Sequence, residues 1–233
     1  MIKLIKNEFL KVKYYKILIT QLIFIVILFL LYKLDYDNKI IFNLIPFLGV
    51  FCSVYYSGII SNEINDGTFR YYLTKPVRRS KIFLSKFLTI IIYLILNLIF
   101  IFLVYYFLYK PNLEYIIIYI KYSTSLLVLS SIIMFNSTII KNTSVNVGIN
   151  IFLIVFGITI SQILFGLGLT FIEYTFLPYL DFSIFMNKVN IINLNYEFDV
   201  NLSVNRGIII NLIFTILFYL VGNFIFNKKD IIN

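Results

Sequence analysis

Long uncharged, strongly apolar runs recur along the chain at about 17–32, 40–62, 87–109, 122–140, 145–172 and 208–226, and the charges fall between them. Each run is close to the roughly 20 residues a helix needs to cross a hydrocarbon layer of about 30 Å. Unpaired backbone groups in lipid cost several kcal/mol each, so these runs predict helices rather than open strands. Pro46, inside the second run, is a candidate kink. The first run follows a group of lysines, as a signal peptide would. No small-residue cleavage site comes after it, however, and Lys33, Asp35 and Asp37 do, so it reads as a retained anchor.

Composition supports the same class: 61% hydrophobic residues against 13% charged is outside the range of soluble domains. The expected fold is an all-α membrane protein, a single transmembrane domain over 1–233 with six membrane-spanning helices. A net charge of +9 raises the question of nucleic acid, but the placement of the charges answers it differently. With both termini in the cytoplasm, the inner segments hold fourteen basic residues, among them Lys3, Lys6, Lys11, Arg70, Arg78, Arg79, Lys86, Lys141 and Lys229. The outer ones hold six: Lys33, Lys39, Lys110, Lys121, Lys188 and Arg206. The bias sets a multi-pass topology in a cell membrane and removes the reason to expect a nucleic-acid partner. The Ile-, Asn-, Lys-, Tyr- and Phe-rich usage hints at an AT-rich bacterial genome.

Residues 1–16 place Ile2, Ile5, Phe9 and Val12 on one helical face with lysines beside it, either an amphipathic helix lying in the membrane interface or a plain positive-inside anchor. The outer connection 173–207 is long and begins with Leu177, Pro178, Tyr179 and Leu180, too apolar for a free loop. It is expected to re-enter the outer leaflet, to cap the outer mouth as a short helix, or to pack as a surface hairpin.

The chemistry available is limited. Histidine is absent, which removes the commonest general base and most zinc sites, and the single Cys52 reads as a small buried hydrophobe. No carboxylate or lysine lies deep in any of the six runs, which argues against both an intramembrane protease and an ion-coupled carrier. No catalytic, cofactor or metal site is expected. The amides Gln21, Asn43, Asn97, Asn136, Asn146, Asn150, Gln162 and Asn211 are read first as contacts within the helix bundle and second as pathway lining. Gly49, Ser53 and Ser57, four apart, place small residues on one face of the second span for close helix packing or a dimer interface.

The segment 61–86 between the second and third runs is the most informative. Gly67 can end a helix leaving the membrane, Pro76 can set a turn, and Ser80 can cap the helix that follows. Glu63 and Asp66 lie beside Arg70, Arg78 and Arg79, a charge mixture suited to docking a soluble partner.

The pattern Glu63, Gly67, Thr68, Arg70, Leu73, Pro76, Arg79 and Lys86 resembles the signature of type-2 ABC exporter permeases. The Asn7-Glu8-Phe9-Leu10-Lys11 lead-in, the six runs and the Leu177-Pro178 pair fit the same plan over nearly the whole chain. The resemblance implies a permease pairing with a second, identical or homologous, and with two cytoplasmic ABC ATPase subunits that hold ATP and Mg. Glu63, Asp66, Gly67, Thr68, Arg70, Leu73, Pro76, Arg78 and Arg79 would then form the coupling helix that meets the ATPase. Reversing Glu63 or Arg79 would uncouple ATPase stimulation from transport without disturbing insertion. The chain has no Gly-x-x-x-x-Gly-Lys-Ser/Thr loop of its own. Smaller members of that family include bacitracin-resistance and lantibiotic-immunity permeases, which implies export of an amphipathic peptide or lipid-like substrate. The alternative is an ATP-independent membrane immunity or scaffold protein.

Overall fold

A computed structural model describes residues 2–11, 14–34, 40–68, 77–180 and 204–229. Every regular element among them is helical: α1 (Ile2–Lys11), α2 (Tyr14–Lys33), α3 (Ile40–Tyr56), α4 (Ser61–Asn65), α5 (Arg79–Tyr109), α6 (Leu113–Tyr122), α7 (Ser125–Ile139), α8 (Thr143–Gly166) and α9 (Val204–Lys228). Two 3-10 turns, Thr170–Tyr174 and Leu177–Tyr179, follow α8. Arg70, Leu73 and Pro76 lie outside the described residues, as do Val12 in the lead-in and the outer connection from 181 to 203.

Among the described residues, five stretches are long and apolar enough to cross a membrane: Tyr15–Lys33, Leu44–Asn65, Arg79–Tyr109, Leu113–Ile139 and Val204–Lys228. This is consistent with a membrane protein. The helix α8 bends by 53° between its arms Thr143–Gly157 and Thr159–Gly166, and makes a sixth only if the two arms count as one span. The fourth span starts at Leu113 rather than near 122. Lys110, in the left-handed region at φ 44°, and Pro111 end α5 abruptly, and α6 then runs into α7 through a tight turn at 123–124.

The helix α5, 31 residues and about 46 Å long at 1.5 Å per residue, runs through the centre of the bundle. It packs against α1, α2, α3, α7 and α9, and α7 is buried between α3 and α9. Small residues permit the closest approaches. A Cβ on Gly49 would come within 2.8 Å of Leu129 on α7, and one on Gly222 of α9 would meet Phe83 and the Phe135 backbone. Ser53 and Ser57 are buried in the same chain, so the face of α3 that carries Gly49 is occupied by α7 and α8.

Polar side chains inside the bundle bond to one another. Thr20 and Tyr93 join α2 to α5 through hydroxyls 2.9 Å apart, and the Tyr119 hydroxyl donates to the Leu98 carbonyl. Asn150 donates to the Ser57 hydroxyl at 2.9 Å and to Asn146 at 3.0 Å, and accepts from Asn136 at 2.7 Å, while Asn146 donates to the Ser57 carbonyl. Three helices are thereby locked where α3 ends. Asn211 donates to the Tyr179 carbonyl, Asn97 to Tyr93 in its own helix, and Gln21 is half-buried. The side chains of Asn43 and Gln162 lie outside those described.

At the opposite end of the bundle, Pro178, Tyr179 and Leu180 are buried, and Leu177 and Leu180 close over Gly157 at the bend of α8. Arg206 at the start of α9 pairs with Glu173 at 3.1 Å and stacks on Tyr174.

Candidate functional site: a buried ion-pair ring

Four charged side chains from three separate helices meet where α1, α4 and α5 come together. The Lys86 ammonium lies 2.8 Å from Glu8 and 2.8 Å from Glu63, and the Lys11 ammonium lies 2.8 Å from Glu8 and 2.6 Å from Glu63. Each carboxylate uses one oxygen for each lysine, so the four groups form a closed ring of alternating sign. Lys86 is fully buried, Glu8 is 4% exposed and Glu63 15%, whereas Lys11 is 48% exposed and forms the ring's outer edge.

Local chain geometry explains how these groups converge. In α1, Glu8 points inward beside the half-buried Leu4, Ile5 and Phe9, while Lys6, Asn7, Leu10 and Lys11 are exposed. The helix α4 is one turn long, and Gly67 closes it at φ 68° with its amide on the Ile64 carbonyl. Thr68 adds a bond from its hydroxyl to the Glu63 carbonyl. Glu63 is thus held on the inward side of a fixed elbow. Lys86 lies two turns inside α5, just ahead of the apolar run at 87–109, and is buried although it sits outside that run. The helix begins eight residues before the run does.

The other predicted coupling residues divide. Asp66 and Arg78 are exposed, and Glu63 and Arg79 are turned inward. The Arg79 guanidinium donates to the carbonyls of Asn227 and Lys229 at 3.2 and 3.0 Å, satisfying the end of α9 with a cation where the helix dipole favours one. Ser80 is not a cap. Arg78 holds the N-cap position without a side-chain bond, and the Ser80 hydroxyl accepts from Asn227 at 2.9 Å. Lys229 donates to the Thr138 carbonyl at the end of α7, and burial, with nearby Lys141 adding to it, lowers its pKa from the ordinary lysine value. Glu63 and Arg79 are therefore members of two buried or half-buried knots, and reversing either charge is expected to cost stability. Sequence reading placed Glu63 and Lys86 in one motif but gave Glu8 no site role; the signal available was a lone acid among the lysines of an amphipathic helix.

Beside the ring is a cleft of about 650 Å³ walled by α1, the start of α2, the end of α3, and α4. No group of three or more metal-ligating side chains occurs among the described residues.

Fold and site together define an all-helical protein with several potential membrane-crossing helices and a buried, charge-balanced knot at one end. Residues 31–232 match the family described as "Protein of unknown function (DUF2705)", and the chain belongs to that family. It is also similar to the "Uncharacterized protein YhcI" of Bacillus subtilis (strain 168), with 24% identity over 211 residues, covering 79% of this chain and 65% of the relative's length.

Proposed function

We propose that the chain is the permease subunit of an ATP-binding cassette exporter, working with a second permease and two separate cytoplasmic ATPases to move an amphipathic peptide or lipid-like substrate out of a bacterial cell. In this reading α8 is one bent span, which brings the total to six and leaves both termini in the cytoplasm. ATP and Mg belong to the partner, and the chain itself is not an enzyme. The observation that carries the reading is the ring: a displacement of α4 cannot leave α1 and α5 behind without separating buried opposite charges, which costs several kcal/mol. Such a joint suits a lever that transmits motion from a docked protein to the spans.

The test is co-purification with a stand-alone ABC ATPase encoded beside this chain, followed by ATPase stimulation. Arg78 is the charge to change, because it is exposed and its side chain caps nothing. Arg78→Glu is expected to weaken association about tenfold, roughly 1.4 kcal/mol, with insertion unchanged. Protection of cells by this chain alone, independent of any ATPase, would instead establish the immunity or scaffold reading.

A further inference from the structure

The end of the bundle that carries the ring also carries a group of cations that its carboxylates do not balance. Arg78, Arg79 and Lys81 stand at the start of α5, Lys141 follows α7, and Lys228 and Lys229 close α9. Contacts around the end of α9 bring these elements together. Arg79 holds the Asn227 and Lys229 carbonyls, Asn227 donates to Ser80, and Lys229 reaches the Thr138 carbonyl at the end of α7. Arg79 and Lys229 thus have neutral partners, and the Lys228 ammonium lies 4.3 Å over the Phe224 ring. Arg78, Lys81 and Lys141 are exposed, and no ion pair joins any of the six to an acid among the described residues. Glu8 and Glu63 are taken up by the ring, which is neutral in itself. Asp66 borders the group, since its neighbour Asn65 donates to the Lys141 carbonyl, but it is one charge against six. Arg70, Lys75 and Asp230 lie outside the described residues.

The excess is felt within the group: burial lowers the pKa of Lys229, and repulsion from Lys141 lowers it further. Capping does not account for so many cations, because Arg79 already meets open carbonyls of α9 and Lys229 one at the end of α7. An anion held among these side chains relieves their repulsion. Position narrows its class. Exposed apolar surface begins directly beside the cations, with Leu217, Leu220, Val221 and Phe224 along α9 and Ile139 and Val145 on either side of Lys141. The Lys228 side chain lies across that surface with its charge at the edge. Basic side chains at the rim of an apolar helix surface match a molecule with an anionic head and hydrocarbon tails. A soluble anion would use only the first of these features.

We propose that this rim binds a phospholipid of net negative charge, with its headgroup at Lys141 and Lys228, Lys81 adding to the field, and its acyl chains along the exposed face of α9. The headgroup would bridge the ends of α7 and α9. The proposal does not rest on the exporter reading. Binding is measured on this chain alone, and Arg78, the residue assigned there to protein docking, is left unchanged.

Native mass spectrometry of the full chain in detergent, titrated with phosphatidylglycerol, phosphatidylethanolamine and phosphatidylcholine of identical acyl chains, tests it. The first phosphatidylglycerol is expected to bind at least about tenfold more tightly than either zwitterionic lipid. Lys141→Gln and Lys228→Gln should each weaken it about fivefold and together about thirtyfold. Lys33→Gln combined with Lys110→Gln removes two charges at the opposite end of the bundle and should change it less than about twofold. Circular dichroism checks the fold of each variant, and Lys81→Gln, with a loss of about threefold to fivefold, keeps the test open if the double variant misfolds. Equal affinity for the three headgroups overturns the proposal. So does an equal loss in the far-end pair, which would reduce the preference to attraction by net charge. Displacement of the lipid by equimolar inorganic phosphate would make a soluble anion the ligand and overturn the lipid assignment.

Discussion

Moving a lysine out of water costs several kcal/mol unless its charge is met, and at Lys86 it is met by two carboxylates that are themselves shared with Lys11. Lys86→Met leaves Glu8 and Glu63 with only the half-exposed Lys11, and is expected to lower stability by about 3–5 kcal/mol in denaturant or thermal unfolding in detergent. Adding Glu63→Gln to that variant should restore part of the loss, because contacting members of one network do not add. A further loss equal to that of Glu63→Gln alone would show the ring to be energetically idle. At this scale the sequence was only partly legible. Gly67 announced its helix end, since few residues other than glycine adopt φ 68° cheaply. Glu63 and Arg79 looked like surface charges because nothing in the neighbouring residues records a distant partner, and Lys11 is 52 positions from Glu63 and Asn227 148 from Arg79.

Helix packing in lipid has little hydrophobic drive, so fit between surfaces and polar contacts decide which helices touch. The small-residue face of α3 serves that fit within one chain. Gly49→Val would push a branched side chain into Leu129, 2.8 Å from the position of the first added carbon, and is expected to cost about 1–3 kcal/mol by the same unfolding measurement. An unchanged midpoint would mean that α3 and α7 are free to separate. The spacing of Gly49, Ser53 and Ser57 predicted a packing face but not which helix would cover it. Asn136, Asn146 and Asn150 likewise read as bundle contacts, yet the Ser57 carbonyl and hydroxyl that they engage depend on where α3 stops. Helix limits were the least legible feature, because α5 and α6 extend well beyond the uncharged runs that mark them. Lys86 and Lys121 lie inside those helices and interrupt the pattern without interrupting the backbone.

For the whole molecule, the chain's single cysteine is buried, so cysteines introduced at exposed positions can report sidedness against a silent background. Lys81→Cys and Ser144→Cys, at the end that carries the ring, are expected to react with an impermeant maleimide only after cells are opened. Asn112→Cys and Tyr174→Cys should react in intact cells. The reverse pattern would place the ring outside and end the exporter reading. The sequence by itself determined the all-helical class and the approximate positions of the apolar helices. These follow from chain-local quantities, namely the length of an apolar run and the absence of charge within it. Only the tertiary structure decided that Glu8, Lys11, Glu63 and Lys86 form one ring, that Arg79 and Lys229 close the ends of other helices, and that a charged cleft opens beside the knot. Ion pairing and capping act between groups far apart in the chain, and a buried charge can be recognised as matched only once the helices that carry its partners are in place.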